Sequence, residues 1–258
     1  MRLLDAQTVD YIMPKTLILI PSRMSATRLP GKPLLKINNL AIISHVVNKA
    51  KNTNIGRVVV CAEDNIIVDE VQKNGGEAIL TSSKHKTGTD RIFEAFEKLE
   101  VENIDYILNL QGDEPAIDEK DIINLNNCMV KNNCDIGTMA SEIKDKKIFK
   151  NKNVVKVITQ EKLDENNFPL ALDFTRSNLK KIKKNIYHHI GIYSFKPKIL
   201  TKFVELSQSK RELEHKLEQF RALDNDFKIN VALAKVSPIG VDTKEDYLAI
   251  KKIMEYKS

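Results

Sequence analysis

The sequence predicts an α/β fold with a mostly parallel central sheet flanked by helices. Its first half alternates short apolar runs, of the length of buried strands, with longer stretches that carry apolar residues at helical spacing. That alternation is typical of βαβ units, which have parallel strands and right-handed crossovers. The chain has 258 residues and no evident linker or internal repeat, so we expect one domain with a sizeable core.

The elements of the first half follow from these runs. The predicted strands are Thr16–Ile20, Arg57–Ala62, Glu77–Leu80 and Tyr106–Leu110. The predicted helices are Ile42–Lys51, Asn65–Asn74, Asp90–Leu99 and Glu119–Asn132. Asp64 precedes the second of these helices and is a candidate cap, while Gly75 and Gly76 end it.

The second half changes character, which indicates an insertion over about 135–197. Its predicted strands are Asp135–Glu142, Val154–Thr159 and Tyr187–Phe195, and the stretch Asn166–Asn185 reads as a loop. After it come a helix from Lys198, a strongly helical stretch Lys210–Leu223, a strand Ile229–Val236 and a helix Thr243–Tyr256. We expect the insertion to form a small extra sheet that covers a pocket and builds a homodimer interface. Residues 1–13 are expected to be an extension outside a single domain of residues 14–258.

The composition narrows the function classes. A net charge of +6 alone would suit a nucleic-acid-binding protein, but the lysines are spread along the chain and often accompany Asn and Ile. No apolar run is long enough to span a bilayer, and the first residues lack a secretory signal. The three cysteines fit neither a disulfide framework nor a zinc site, which favours free thiols in the cytoplasm.

The segment Pro21–Leu34, with the sequence PSRMSATRLPGKPL, is the most informative one. It places three cations, Arg23, Arg28 and Lys32, on a loop that prolines constrain, directly after the first predicted strand. Open α/β sheets bind ligands at the carboxyl ends of their strands, and three cations there suit a triphosphate. The segment is not a Walker loop, because GxxxxGK[ST] is absent. A solvated basic turn is the alternative.

A carboxylate follows another predicted strand, in the string QGDEP. Mg²⁺ is held by one or two carboxylates together with phosphate oxygens and water, and Asp113 fits that role. Gly112 and Pro115 would equally suit an ordinary turn. Asp242 follows the last predicted strand, and an isolated VDT string would merely start a helix that Thr243 caps.

Three further polar strings are weak signals when taken singly. The string YHHIGIY carries adjacent histidines, which point to opposite faces of a strand, so at most one faces a pocket. The string LEQFR would be a solvated helix face. The string TGTDR would be a helix start with Thr89 as its cap.

Together these strings resemble those of the 3-deoxy-manno-octulosonate cytidylyltransferases (CMP-Kdo synthetases), from about Thr16 to about Tyr247. RLPGKPL, QGDEP, GVDT, HHIGIY and LEQFR carry the likeness, with NVVKV and FTR as weaker matches. The sequence departs from the family at Lys244, where proline is usual, and at Asp173, where an aromatic residue is usual. The resemblance implies a Rossmann-related fold like that of nucleotide-diphospho-sugar transferases.

The resemblance also implies roles for single residues. The catalytic residues would be Arg23, Arg28, Lys32, Asp113 and Asp242. The nucleotide would be bound by Arg23, Ser25, Arg28, Lys32, Thr89, Arg91 and Asp113. The sugar acid would be bound by Gln111, Arg176, His189, Glu218 and Gln219. Mg²⁺ would be held by Asp113 and Asp242.

The implied activity is the transfer of CMP from CTP to the sugar acid Kdo, for the inner core of lipopolysaccharide. The implied partners are CTP, Kdo and a second copy of the chain, with neither nucleic acid nor membrane insertion. A CMP-sialate synthetase is the nearest alternative. A sugar-1-phosphate nucleotidyltransferase is disfavoured, because its loop usually reads GxGxRLxPLT. A basic nucleic-acid-binding protein is the alternative from another class.

Overall fold

The computed structural model describes residues 15–25, 28–145, 149, 151–177 and 184–256. The predicted N-terminal extension, residues 1–13, therefore lies outside the described residues. The strands are β1 (Thr16–Ser22), β2 (Lys36–Ile37), β3 (Leu40–Ala41), β4 (Gly56–Ala62), β5 (Ala78–Leu80), β6 (Tyr106–Asn109), β7 (Ile136–Ser141), β8 (Lys156–Thr159), β9 (Ala171–Thr175), β10 (Ile186–Phe195) and β11 (Ile229–Leu233).

The helices of the described residues lie mostly between these strands. They are α1 (Ile42–Asn52), α2 (Asn65–Lys73), α3 (Gly88–Lys98), α4 (Glu119–Asn132), α5 (Pro197–Glu205), α6 (Lys210–His215), α7 (Gln219–Leu223) and α8 (Lys244–Glu255). A short 3₁₀ helix, Lys32–Leu34, follows the loop that leaves β1, which we call the first loop.

The strands form a nine-stranded sheet whose longest path is β11-β7-β10-β6-β1-β4-β5. β1 runs parallel to β4 and β6, and β7 runs parallel to β11, while β10 is antiparallel to both of its neighbours in this path. A separate antiparallel pair, β2 and β3, follows the first loop. The predicted α/β class with a mostly parallel sheet is confirmed.

The central strand β1 is buried on both faces, which explains its uninterrupted apolar sequence. Ile18 and Ile20 belong to one apolar cluster and Leu17 and Leu19 to another. Because both clusters pack against the same strand, the loop that follows β1 starts from a rigid position.

The inserted strands β8 and β9 form a branch of the central sheet. β8 pairs antiparallel with the start of β10, and β9 pairs antiparallel with β8. The prediction of a loop over Asn166–Asn185 is wrong for β9. The sequence ALDFT buries Ala171 and Phe174 but exposes Leu172, so the simple alternation expected of a half-buried strand is missing.

The single helix predicted over Lys210–Leu223 is also wrong, because α6 and α7 are separate. Lys216 interrupts them in the left-handed conformation, with φ 54°. Arg221 of α7 donates from Nε and Nη2 to the buried carboxylate of Glu212 of α6, at 2.9 and 2.7 Å. This buried ion pair fixes the angle at which α7 enters the fold, and with it the residues that precede α7.

The predicted helix caps differ in their outcome. Asp64 makes no side-chain cap bond to α2. The cap of α3 is Thr87, which accepts a hydrogen bond from the backbone N–H of Asp90, whereas Thr89 is buried in the first turn. Thr243 caps α8 as predicted, in a reciprocal capping box with Asp246.

Two further expectations concern the chain as a whole. Cys61, Cys128 and Cys134 are free thiols, as predicted. Within the described ranges, none of the helices combines the length and the apolar character that crossing a bilayer requires.

The Glu212–Arg221 pair gives a stability prediction. Glu212→Gln should lower the free energy of unfolding by about 3 kcal/mol, because Arg221 then keeps a buried charge whose remaining ion pair, with Asp90, spans 3.7 Å. Denaturant unfolding measures this change. Glu214→Gln on the same helix is the matched control, since its pair with Lys210 is exposed and spans 3.8 Å, and its effect should be below about 0.5 kcal/mol. Equal effects of the two variants would contradict the assignment.

Candidate functional site

A polar cleft of about 970 Å³, open to solvent, lies at the carboxyl ends of β1 and β6. This is the edge at which parallel α/β sheets bind ligands. Five predicted residues from distant parts of the chain line it together: Arg23, Arg28, Lys32, Asp113 and Asp242. The predicted Gln111 and Arg91 line it as well. The juxtaposition on which the sequence hypothesis depends is therefore present.

The first loop folds back so that Gly31, the residue before Lys32, lies next to Met24. Gly31 has φ +71°, a left-handed conformation that suits glycine, and its N–H donates to the carbonyl of Met24 at 3.3 Å. The 3₁₀ helix starts directly after it, and Pro33 is buried. The loop sequence RLPGKPL thus encodes a fixed turn rather than a solvated one.

The ammonium group of Lys32 lies between the two predicted metal-binding carboxylates. Its Nζ is 2.6 Å from Oδ2 of Asp113 and 3.3 Å from Oδ1 of Asp242. Arg28 adds an ion pair of 3.0 Å with the other oxygen of Asp242. Both carboxylates therefore reach one point that a cation occupies.

Asp242 reaches this point because of one backbone hydrogen bond and one apolar cluster. The N–H of Val241 donates to the carbonyl of Asp113 at 2.9 Å, which sets the two aspartates side by side. Val241 is buried with Ile37, Ile42 and Ile250, so the chain end around α8 is packed against the segment that follows the first loop. The GVDT string and the PGKP loop are thereby brought together.

Three further residues predicted to bind the nucleotide are Arg23, Ser25 and Arg91. Arg23 is exposed, and among the described residues no ion pair is found for it. Ser25 donates from its hydroxyl to Glu63 at 2.9 Å. Arg91 also donates to the carboxylate of Glu63, at 2.8 Å. The side chains of Arg91 and Glu63 are almost completely buried.

Arg91 is thus largely committed to structure, although one side of it lines the cleft. Besides Glu63, its Nη1 donates to Thr81 at 2.8 Å and to the carbonyl of Ser82 at 3.2 Å. These bonds tie the end of β4 and the segment after β5 to the start of α3.

The cleft wall opposite the first loop contains two residues that the sequence analysis missed. His85 and Lys86 line it directly before Thr87. His85 pairs with Glu94, which also accepts the N–H of Ser82. Hydrogen bonds from Lys98, Ser82 and His85 outweigh the effect of burial and lower the pKa of Glu94 to about 2. The position of His85 and Lys86, just upstream of TGTDR, was the available signal.

The predicted sugar residues begin beside the cleft and lead away from it. Gln111 donates from Nε2 to the carbonyl of Gly191 at 2.9 Å, which connects β6 with the bulge of β10. His189 is buried, with Nε2 3.0 Å from the Thr138 hydroxyl and 3.1 Å from the Tyr193 hydroxyl. Burial, followed by the charges of His188 and Arg176, lowers the pKa of His189 to about 3.

Glu218 and Gln219 line a second, smaller cavity of about 250 Å³, together with Thr89 and Tyr193. Oε1 of Glu218 and Nε2 of Gln219 are buried without a hydrogen-bond partner among the described residues. Burial raises the pKa of Glu218 to about 7, against hydrogen bonds from Thr87 and Thr89. Thr89, predicted to contact the nucleotide, lines this second cavity and not the cleft. Buried polar atoms of this kind suit a hydroxyl-rich ligand.

Arg176 approaches the cleft from the inserted branch. Its Nη1 donates to the carbonyl of Asn153 at 2.8 Å. Burial and the charge of Arg28 lower its pKa, and the charge of Asp242 opposes this shift, so Arg176 lies within electrostatic range of both cleft residues.

Glu114 is a second residue that the sequence analysis did not single out. Its Oε2 is buried and has no hydrogen-bond partner among the described residues. Burial, followed by the charges of Asp113 and Asp242, raises its pKa to about 8. At neutral pH Glu114 is therefore protonated and carries no charge. Asp113 and Asp242 remain as the two carboxylates of the cleft, where cationic side chains outnumber them.

The cleft brings cationic side chains and two carboxylates together, so its fit to a divalent cation can be examined. Within the described residues, no group of three or more His, Cys, Asp and Glu side chains could bind a metal by itself. Two converging aspartates fit Mg²⁺, because this ion completes its octahedron with water and phosphate oxygens. The cations around them supply contacts for those phosphates.

The chain matches the cytidylyltransferase family over residues 17–229. It is 41% identical over 247 residues to the 3-deoxy-manno-octulosonate cytidylyltransferase of Nitrobacter winogradskyi, covering 93% of this chain and 94% of that one. The enzyme of the same name from Thermodesulfovibrio yellowstonii is 41% identical over 255 residues, covering 93% of this chain and 98% of that one.

The solved structures give the same picture. A CMP:2-keto-3-deoxy-manno-octonic acid synthetase complexed with CTP has a TM-score of 0.87 and 31% identity, covering 95% of this chain and 100% of that one. An apo UDP-glucose pyrophosphorylase, with a TM-score of 0.69 and 14% identity over 95% of this chain and 99% of that one, shares the fold alone.

The raised pKa of Glu114 predicts how stability depends on pH. Between about pH 4.5 and 8 the folded state retains a proton on Glu114 that the unfolded state releases. The contribution of this proton to the free energy of unfolding is therefore complete at low pH and is lost as pH rises through 8. Glu114→Gln should reduce the loss of unfolding free energy between pH 5 and 8 by at least ~1 kcal/mol. Chemical denaturation in metal-free buffer measures the profile, with the exposed Glu97→Gln as control. A profile of Glu114→Gln that overlays the wild type would contradict the assignment.

Proposed function

The chain belongs to the 3-deoxy-manno-octulosonate cytidylyltransferase family, and on this premise we propose that it transfers CMP from CTP to the anomeric hydroxyl of 3-deoxy-D-manno-octulosonate (Kdo). The products are CMP-Kdo and pyrophosphate. The observation that carries the proposal is the convergence of Lys32, Asp113 and Asp242 on one point of the cleft. The product would serve lipopolysaccharide inner-core synthesis.

The reaction is an in-line displacement at phosphorus. The anomeric oxygen of the sugar acid attacks the α-phosphorus of CTP, the bond from that phosphorus to the bridging oxygen breaks, and pyrophosphate leaves with the electron pair. Arg23, Arg28 and Lys32 stabilise the charge on the transferring phosphate and on pyrophosphate. Positioning of the two substrates accounts for much of the remaining rate enhancement.

The proton of the attacking hydroxyl passes to solvent. His189 is unsuited to take it, because its Nε2 lies within hydrogen-bond distance of Thr138 and Tyr193 and its pKa of about 3 makes it a weak base. His189 instead holds the wall of the sugar site in place. The same hydrogen bonds keep the Tyr193 hydroxyl directed toward the sugar side.

Asp113 and Asp242 would hold Mg²⁺. When bound, the ion withdraws charge from the α-phosphate and lowers the pKa of the attacking hydroxyl. Lys32 spans the two carboxylates, and we propose that it turns to the phosphates when substrates bind. Mg²⁺ would bring two positive charges to a point where the Lys32 ammonium brings one, and the ammonium would then face the negative charge of the phosphates.

The sugar acid would bind between the cleft and the second cavity. Gln111 and Arg176 lie beside the cleft, while Glu218 and Gln219 offer buried polar atoms to the sugar hydroxyls. Thr89 lies with them. Since a site built to hydrogen-bond hydroxyls rejects analogues that lack them, these residues would select sugar acids whose hydroxyls match their positions.

The family membership does not favour the nucleic-acid alternative, and the cations of the cleft are accounted for by a nucleotide. We propose a cytoplasmic location, since CTP is made there and the three thiols suit a reducing compartment. We also propose a homodimer formed through the insertion. Leu172 on β9 and Leu213 on α6 are exposed, and the ion pair of Asp173 with Arg211 sets these two elements side by side.

Pyrophosphate release measures the proposed activity. Purified protein incubated with CTP, Mg²⁺ and Kdo should release pyrophosphate, with chelation of the metal abolishing release and added Mg²⁺ restoring it, because Mg²⁺ would neutralise the phosphate charge. CTP with sialic acid in place of Kdo is the matched control and should give little release. Release with sialic acid but not with Kdo would move the chain to the sister activity, and release with neither would overturn the proposal.

A further inference from the structure

A lysine is buried without a counterion in the middle of the inserted branch. Lys156 of β8 is 0% exposed and pairs with Thr175 of β9 on one side and His188 of β10 on the other. No carboxylate within the described residues forms an ion pair with it. A buried lysine is costly when it is not compensated, and lysine is seldom fully buried. The site therefore calls for a physical explanation.

The ammonium group of Lys156 is compensated by two backbone carbonyls. Its Nζ donates to the carbonyl of Asn151 at 2.7 Å and to the carbonyl of Arg176 at 3.2 Å. Asn151 lies ahead of β8, and Arg176 is the first residue after β9. Lys156 thus joins the two chain segments that leave this end of the branch.

Arg176 is held a second time through its side chain. Its Nη1 donates to the carbonyl of Asn153, which belongs to the same segment as Asn151. The backbone of Arg176 is therefore held by Lys156 and its guanidinium by Asn153. Two attachments of this kind leave little freedom for the direction in which the guanidinium points.

Several cationic side chains in this region lie close enough to influence one another electrostatically. Burial and the charge of Arg176 lower the pKa of Lys156, and burial and the charge of Arg28 lower the pKa of Arg176. Burial and the charge of Lys156 also lower the pKa of His188. Asp242 opposes the shift at Arg176. Repelling cations that are held in place create a positive potential, which an anionic substrate would relieve.

We propose that Lys156 is a positioning residue, which holds Arg176 toward the cleft so that Arg176 receives the carboxylate of the sugar acid. This inference rests on the function proposed above and extends it to a residue that does not touch the substrate. An apolar side chain of the same length would fill the same space but would leave the carbonyls of Asn151 and Arg176 without this donor. The retained charge therefore serves the orientation of Arg176.

Lys156→Met tests the proposal by steady-state kinetics. The KM for the sugar acid should rise about tenfold or more, while the KM for CTP and kcat change by less than about threefold, because only the sugar side loses its orientation. Thr159→Val is the matched control on the same strand. It also removes a hydrogen bond to a backbone carbonyl, that of Glu161 at 2.6 Å, but at the other end of β8 from Lys156, and should leave both KM values within about twofold.

Amide hydrogen exchange tests the positioning without any substrate. Exchange in peptides that span residues 171–177 should speed up about tenfold in Lys156→Met and not in Thr159→Val, since only the first variant frees the Arg176 carbonyl. A wild type inactive with Kdo would defeat the proposed function and still leave this readout intact. If Lys156→Met does not fold, Lys156→Gln is judged by the same criteria.

The proposal requires both effects. It would be overturned if the KM for the sugar acid or the exchange rate at residues 171–177 stayed unchanged. It would also be overturned if both KM values rose equally. Each of these results would mean that Lys156 only fills space or supports the fold in general.

Discussion

In the cleft, a single ammonium group lies against two carboxylates from distant parts of the chain, and the geometry of the site follows from this contact. Lys32 contacts Asp113 and Asp242 at 2.6 and 3.3 Å. Without a cation, the two aspartates would repel each other across the mouth of the cleft. Lys32 provides that cation in the protein alone, and Mg²⁺ is proposed to provide it during the reaction. A site that already tolerates a cation at this point needs little rearrangement to accept the metal.

The rest of the fold makes this arrangement possible. Strand β1, buried on both faces, anchors the first loop, and the backbone bond from Val241 to Asp113 fixes the distant carboxylate. The inserted branch extends the same sheet and brings Arg176 to the cleft from the other side. The cations and carboxylates predicted to be catalytic thus meet at one edge of the sheet, while Glu218 and Gln219, predicted to bind the sugar acid, line the second cavity.

The sequence predicts the parts of the fold that repeat a simple period. The first four strands of the parallel core and α1 to α4 follow from apolar periodicity to within about two residues, the usual uncertainty of helix ends. The PGKP loop, QGDEP and VDT strings identify the cleft. Strand β9 was missed because its sequence lacks the alternation of apolar and polar residues. The break at Lys216 was missed because a lysine, and not a glycine, adopts the left-handed conformation there. Lys156 and Glu114 were missed because burial of a charged side chain is a tertiary property.

A structure determined with CTP and Mn²⁺ would show whether Asp113 and Asp242 hold the metal, because the anomalous signal of manganese locates it independently of the protein atoms. We expect one manganese ion in contact with both carboxylates and with the α-phosphate, and the Lys32 ammonium turned onto the phosphates. Manganese bound away from these two carboxylates, or CTP bound outside the cleft, would contradict this expectation.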